Sequence, residues 1–238
     1  MTIVAIVVSV LGGAAVTRLT GLGFALVASP LLILVLGPFQ GVLLCNMLSL
    51  LASAGMLASH WRDVAWRRAL LLLAPAPLLI PAGAQLVHRL PQAPLSVLIG
   101  SLLLVAVALV ARGRSWRVLA GTPGAFLAGG ASAALNVLAG VGGPALALYG
   151  VSQRWTGRAF LATVPVCSLA MNALSLATKG LPAMTGGELA LVVSALVVGS
   201  VAGELLARRV SSRHAQPLLL SLAAVGAIAA VVKGALAW

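Results

Sequence analysis

The sequence is poor in acid: three Asp and Glu residues stand against fifteen Lys and Arg in a chain of 238. Only Glu204 falls inside an apolar run, so a membrane proton relay built on Asp and Glu has almost no candidates. Charge of either sign is scarce as well. With 8% charged and 61% hydrophobic residues, at a mean hydropathy of +1.15, the chain cannot form an ordinary water-facing surface. No long polar stretch occurs, which leaves no room for a soluble domain. The two cysteines, Cys45 and Cys167, come without a C-x-x-C pair or a His/Cys cluster, and neither a metal nor a cofactor is expected. The first apolar run, MTIVAIVVSVLGGAAV, has no Lys or Arg ahead of its apolar part, which argues against a cleaved signal peptide.

What is present reads as an all-α integral membrane protein with one transport domain over residues 1–238. The apolar pieces lie at about 3–17, 22–36, 42–59, 69–86, 95–110, 118–139, 143–152, 159–178, 189–206 and 218–237. Most are long enough to cross a hydrocarbon core of roughly 30 Å at about 1.5 Å per residue. The piece 22–36 is marginal, and 143–152 is too short to cross unaided.

Charge sets the expected sidedness. The clusters HWRDVAWRR (60–68), RGRSWR (112–117), QRWTGR (153–158) and RRVSSRH (208–214) hold eleven of the fifteen basic residues and are expected at the cytoplasmic face. The loops HRLPQAP (88–94) and KGLPAMTGGE (179–188) hold one each and are expected outside, with the neutral GPFQG turn (37–41). The pattern alternates if 118–139 and 143–152 together leave the cytoplasm and return, and if 3–17 and 22–36 do the same from outside. Both termini are then extracytoplasmic, in a multi-pass protein of the cell inner (plasma) membrane. The net charge of +12 orients the chain against the bilayer, and no nucleic-acid partner is expected.

The chain also resembles itself. NMLSL at Asn46–Leu50 returns as NALSL at Asn172–Leu176, Gly12-Gly13-Ala14 with Gly21-Leu22-Gly23 as Gly129-Gly130-Ala131 with Gly140-Val141-Gly142, and Ala82-Gly83 with His88-Arg89 as Ala202-Gly203 with Arg208-Arg209. The order is kept and only the gaps differ. Each half, about 1–111 and about 118–238, therefore holds a glycine-broken helical hairpin followed by three transmembrane helices. An odd number of crossings per half makes them inverted-topology repeats, the plan of secondary transporters with a midplane site at broken helices.

The paired glycine motifs, above all GVGGP at Gly140–Pro144, and the Asn-bearing helix that follows resemble the sulfite exporter TauE/SafE family of membrane transporters, over roughly residues 5–235. The first half departs from the usual run of glycines with Gly21-Leu22-Gly23-Phe24. The resemblance implies a transporter, not an enzyme, that exports small sulfur-containing or carboxylate anions such as sulfite, sulfoacetate or other organosulfonates. The implied partners are that anion and the lipid bilayer, with a homodimer as an option.

An anion suits the residues. A helix starting at a glycine turn presents unpaired N–H groups and the positive end of its dipole. Glycine lets a ligand approach the backbone closely, and Pro at the first turn gives up an N–H that had no partner. Gly140, Gly142, Gly143 and Pro144 fit this from the cytoplasmic side, Gly21 and Gly23 from the other; the same small residues also suit close helix packing. Asn46 and Asn172 each offer amide donors to an oxyanion or a hydrogen bond to a neighbouring helix. Ser49 and Ser175, one turn on, line the same cavity or bond their own backbone. Arg18 is a cation at the tip of the first hairpin if that hairpin re-enters, and an interface residue if it spans. Gln153, Arg154 and Arg158 form an anion-concentrating vestibule or simply follow the positive-inside rule. Two other classes compete: a thiol–disulfide electron carrier using Cys45 and Cys167, and a non-transporting membrane scaffold.

Overall fold

The computed structural model describes residues 2–20, 24–58, 60–112, 116–155, 157–207 and 212–237. Eleven α-helices run through them: α1 (Thr2–Thr20), α2 (Ala25–Leu36), α3 (Pro38–Ala58), α4 (Trp66–Leu73), α5 (Ala76–Arg89), α6 (Gln92–Arg112), α7 (Gly121–Ala139), α8 (Gly143–Ser152), α9 (Arg158–Lys179), α10 (Gly186–Ala207) and α11 (Ser212–Leu236). The all-helical reading is correct, and nearly every apolar piece is one helix whose ends differ from it by a few residues. One piece divides. Pro75 has no N–H to carry the ladder on, so α4 stops at Leu73 and α5 restarts at Ala76, although Trp66–Arg89 together still make one 24-residue apolar stretch.

Among the described residues, five stretches are long and apolar enough to cross a membrane: Pro38–Ala58, Trp66–Arg89, Gln92–Arg112, Arg158–Lys179 and Gly186–Leu206. This is a multi-pass membrane protein. Leu70, Leu78, Val105, Val197 and Val225 stand exposed on α4, α5, α6, α10 and α11, an outward apolar face that suits lipid and would be a liability in water. By contrast α2 is apolar all round, and eight of its twelve residues are buried, so it belongs inside the bundle. With α3 it occupies the larger core cluster, to which α1, α6, α10 and α11 contribute. A second cluster joins α4, α7, α8 and α9.

Without a hydrophobic force between helices in lipid, close backbone approach has to supply the attraction. Small residues provide it here. A Cβ added at Gly129 of α7 would clash with the Leu72 carbonyl oxygen of α4, and one at Gly203 of α10 with the Ala15 carbonyl oxygen of α1. The principal pairings are α6 on α11, α1 on α10, α3 on α9, α2 on α3 and on α1, α7 on α4, α5 and α8, α2 on α11, and α9 on α4 and α5. Exchanging α1, α2, α3, α4–α5 and α6 with α7, α8, α9, α10 and α11 carries most of these pairings into one another, but the packing of α9 on α4 and α5 has only a slight counterpart between α3 and α10.

The loops sort to two ends. At one end Phe39 rests on His88 with ring centroids 5.2 Å apart, and Gln40 Oε1 accepts the Ala183 N–H at 3.0 Å. This gathers the three loops that are poor in basic residues. At the other end the Trp116 N–H donates to Ser152 Oγ at 3.0 Å, Gln153 Nε2 to the Leu119 carbonyl at 2.8 Å, and the Arg68 guanidinium lies 4.7 Å from the Trp155 ring centroid. These residues come from or border three of the basic clusters.

Candidate functional site

Polar side chains are few in the core, and most of them meet at the break between α7 and α8. The break starts as a helix end. Gly140 adopts the left-handed conformation (φ 73°, ψ 9°), and its N–H donates to the Asn136 carbonyl at 2.9 Å while the Val141 N–H donates to that of Leu135 at 3.2 Å. This is the left-handed cap that glycine favours. It corrects one expectation. The N–H of Gly140 closes α7, and the N–H groups that open α8, beginning at Gly142 and Gly143, are the ones that no preceding turn pairs. Pro144 sits within that first turn as expected and has no N–H to leave unpaired.

Gly142 and Gly143 differ in their surroundings. A Cβ at Gly142 would lie 2.8 Å from Ser132 Oγ, whereas one at Gly143 would meet nothing within 4 Å. Gly143 is also half-buried where Gly142 is buried. The open side of the turn is therefore at Gly143.

Around the break several free carbonyls are met from inside the protein. Ser29 Oγ of α2 donates to the Ala139 carbonyl at 2.6 Å, Ser132 Oγ to the Gly142 carbonyl at 2.8 Å, and Lys179 Nζ of α9 to the Val137 carbonyl at 2.9 Å. The Cys45 thiol points at the Gly140 carbonyl, with sulfur 3.9 Å away. A lysine is the right residue there, because the last carbonyls of a helix carry its negative end.

The asparagines form a belt at the same level. Asn46 Nδ2 donates to Ser175 Oγ at 2.8 Å, Asn136 Nδ2 to Asn172 Oδ1 at 2.9 Å, and Asn172 Nδ2 to the Ser168 carbonyl at 2.7 Å. Each asparagine thus bonds within the bundle, as the helix-to-helix alternative expects, and each amide keeps a second N–H. Three buried oxygens, Asn46 Oδ1, Ser49 Oγ and Asn136 Oδ1, have no partner, at about 1–3 kcal/mol for each such group. Asn46 Oδ1 looks directly onto the turn, 3.2 Å from where a Gly140 Cβ would be.

The sequence-predicted residues Asn46, Ser49, Gly140, Gly142, Gly143, Pro144, Asn172 and Ser175 are brought together at this break or in the belt around it. Gly21 and Gly23 lie outside the described residues, as does the side chain of Arg18, whose backbone is in the last turn of α1. Arg158 is exposed at the start of α9, and Gln153 ties the end of α8 to the segment before α7. Cys45 and Cys167 are free and buried in different core clusters.

Four residues of the site were missed by sequence reasoning. Ser29, Ser132 and Asn136 look like ordinary small polar residues of apolar helices, and Lys179 reads as the first residue of an outer loop. It is instead in the last turn of α9 and 6% exposed. A signal for it exists: Ser168, Asn172, Ser175 and Lys179, at i, i+4, i+7 and i+11, form one polar stripe along a helix.

A model of the family described as Sulfite exporter TauE/SafE matches residues 5–230. No curated protein and no solved structure matches the chain.

Proposed function

We propose a function from one premise: this chain belongs to the Sulfite exporter TauE/SafE family, so it is a membrane transporter of sulfur-containing anions. On that basis it exports a small anion, such as sulfite, sulfoacetate or another organosulfonate, or a related carboxylate, by alternating exposure of one site. The site is the α7–α8 break. The observation that carries this reading is the polar lining of the α7–α8 break: Asn46 Oδ1 faces Gly140, Asn136 lies against Gly142 and is bonded to Asn172, and Lys179 is bonded to the Val137 carbonyl, with no carboxylate among these groups.

The ten residues of α8 cover about 15 Å, half of a hydrocarbon core, so α7–α8 is a re-entrant hairpin whose turn lies within the bilayer. Non-helical backbone at that depth has to be covered by protein, and the caps from Ser29, Ser132 and Lys179 do this. The two halves are read as inverted repeats from their sequence matches and odd number of crossings, and most helix pairings, though not those of α9 with α4 and α5, fit an exchange of the halves. The basic end faces the cytoplasm and both termini face outward. Export of an anion is favoured by an inside-negative potential, by about 2.3 kcal/mol per charge per 100 mV, and needs no carboxylate relay.

The test is flux in proteoliposomes, preceded by a thermal-shift screen of the purified protein against sulfite, sulfoacetate, thiosulfate, sulfate and small carboxylates, since a bound ligand stabilises by mass action. At least one sulfur-containing anion is expected to raise the unfolding temperature and to be carried. Asn172→Ala should abolish that flux while the protein still inserts. Full flux in this variant would move the site elsewhere, and no flux of any anion by the wild type would end the exporter reading.

A further inference from the structure

The ammonium of Lys179 is the one buried cation among the described residues, and its surroundings do not balance it. Val137's carbonyl accepts a hydrogen bond from it at 2.9 Å. The whole chain has three carboxylates. Asp63 is in the exposed turn Trp61–Asp63, Glu188 is exposed and accepts from Thr185 at 2.9 Å, and Glu204 is exposed near the end of α10. None of them faces Lys179. A buried charge needs a partner of opposite sign or a full set of hydrogen bonds, and one carbonyl at a helix end supplies neither.

The lysine is also placed where it matters. Val137 is three residues before Gly140, and Cys45 links the two places, since a Cβ at Gly140 would lie 3.4 Å from the Cys45 sulfur. On its own helix Lys179 follows Ser175 by one turn, and Ser175 accepts from Asn46, whose free oxygen faces the same turn. The stripe from Asn172 to Lys179 thus runs along one side of the break.

We propose that Lys179 is the fixed counter-charge for the transported anion, which completes the pairing that the protein's own groups leave undone. This rests on the exporter reading and adds to it the residue that selects for charge. The anion replaces the Val137 carbonyl as partner of the ammonium, so binding frees a carbonyl at the end of α7 and loosens the tie between α7 and α9. The selected substrates are small species carrying net negative charge; neutral isosteres of the same shape gain nothing from this group.

The chain has only two lysines, Lys179 and Lys233, and Lys233 Nζ donates to the Leu34 carbonyl at 2.9 Å on the far side of α2 and α11, a built-in control. The experiment uses purified full-length protein with sulfite and sulfoacetate as probes, measuring affinity for wild type and Lys179→Met, and side-chain ¹⁵N resonances of ¹⁵N-lysine-labelled wild type during titration. Lys179→Met should weaken binding by at least about thirtyfold, the low end for removing one member of a buried charge pair. The Lys179 resonance should shift with occupancy while that of Lys233 stays in place. Wild-type affinity in Lys179→Met would overturn the role of Lys179 and leave the exporter intact. If that variant fails to fold, or folds and loses binding, an unmoved Lys179 resonance at saturating anion would overturn the proposal and a moved one would support it. If the wild type binds and carries neither probe nor any anion of the wider screen, both the exporter reading and this inference fall.

Discussion

Gly140 and Gly143 are three residues apart in one break and serve different ends of it, which separates folding from binding at the level of single substitutions. At Gly140 the left-handed backbone costs an L-residue roughly 1–2 kcal/mol, and a methyl group would also press on Asn46 Oδ1 at 3.2 Å. Gly140→Ala is therefore expected to lower the unfolding temperature of the purified protein whether or not a ligand is present. Gly143 has ordinary helical torsions and open space beside it, so Gly143→Ala should leave the unfolding temperature nearly unchanged and reduce sulfite affinity by filling the side from which the anion reaches the first-turn donors. Calorimetric unfolding and ligand-induced thermal shifts, measured on both variants, check the pair. Equal losses of stability in the two would mean that the turn has no open side.

At the scale of the helix, the α7–α8 hairpin is held by a few polar ties to its neighbours, and each tie covers a carbonyl that lipid could not. Ser29 is the tie to α2. Its hydroxyl meets the Ala139 carbonyl at 2.6 Å and both are buried, so Ser29→Ala leaves that carbonyl unpaired at about 1–3 kcal/mol. Hydrogen exchange should show it locally: amides of residues 141–146 exchange faster in Ser29→Ala, while those of α10, which packs chiefly on α1, keep their protection. Uniformly faster exchange would mean that Ser29 holds the whole bundle and not the hairpin. Most of these elements are legible in the sequence, because apolar runs set helix lengths and Gly37, Gly180 and the basic clusters mark their ends. Three features were not. A glycine between two helices does not say which of them it serves, and Gly140 turned out to cap the first. A lysine at the end of an apolar run can snorkel outward or fold back onto a neighbour, and only the position of α7 decides for Lys179. The split at Pro75 depends on whether neighbouring helices accommodate a missing N–H, which hydropathy does not record.

At the scale of the whole molecule, sidedness and symmetry are linked, because two halves that pair in the same way but enter the membrane oppositely must place their connecting loops at opposite faces. The loop contacts already divide the ends, with Gln40 and Ala183 at one and Ser152, Gln153 and Leu119 at the other. What the division leaves to experiment is which end is cytoplasmic, and the excess of arginine at the second end is the ground for proposing that one. A background of Cys45→Ser with Cys167→Ser makes the test and settles a rival at once. Both cysteines are buried in separate core clusters, so this double variant should carry anions like the wild type, whereas an electron carrier would lose all function with its thiols. In that background Ala183→Cys should react with a membrane-impermeant maleimide on intact cells, and Ala120→Cys, exposed beside Leu119, only after permeabilisation. The reverse pattern would turn the transporter over and place the turn of α7–α8 on a path from outside, making the same site one for uptake. Labelling of both from outside would break the alternation on which the proposed inverted repeat depends, since in that topology residues 120 and 183 are separated by a re-entrant hairpin and one full crossing, α9.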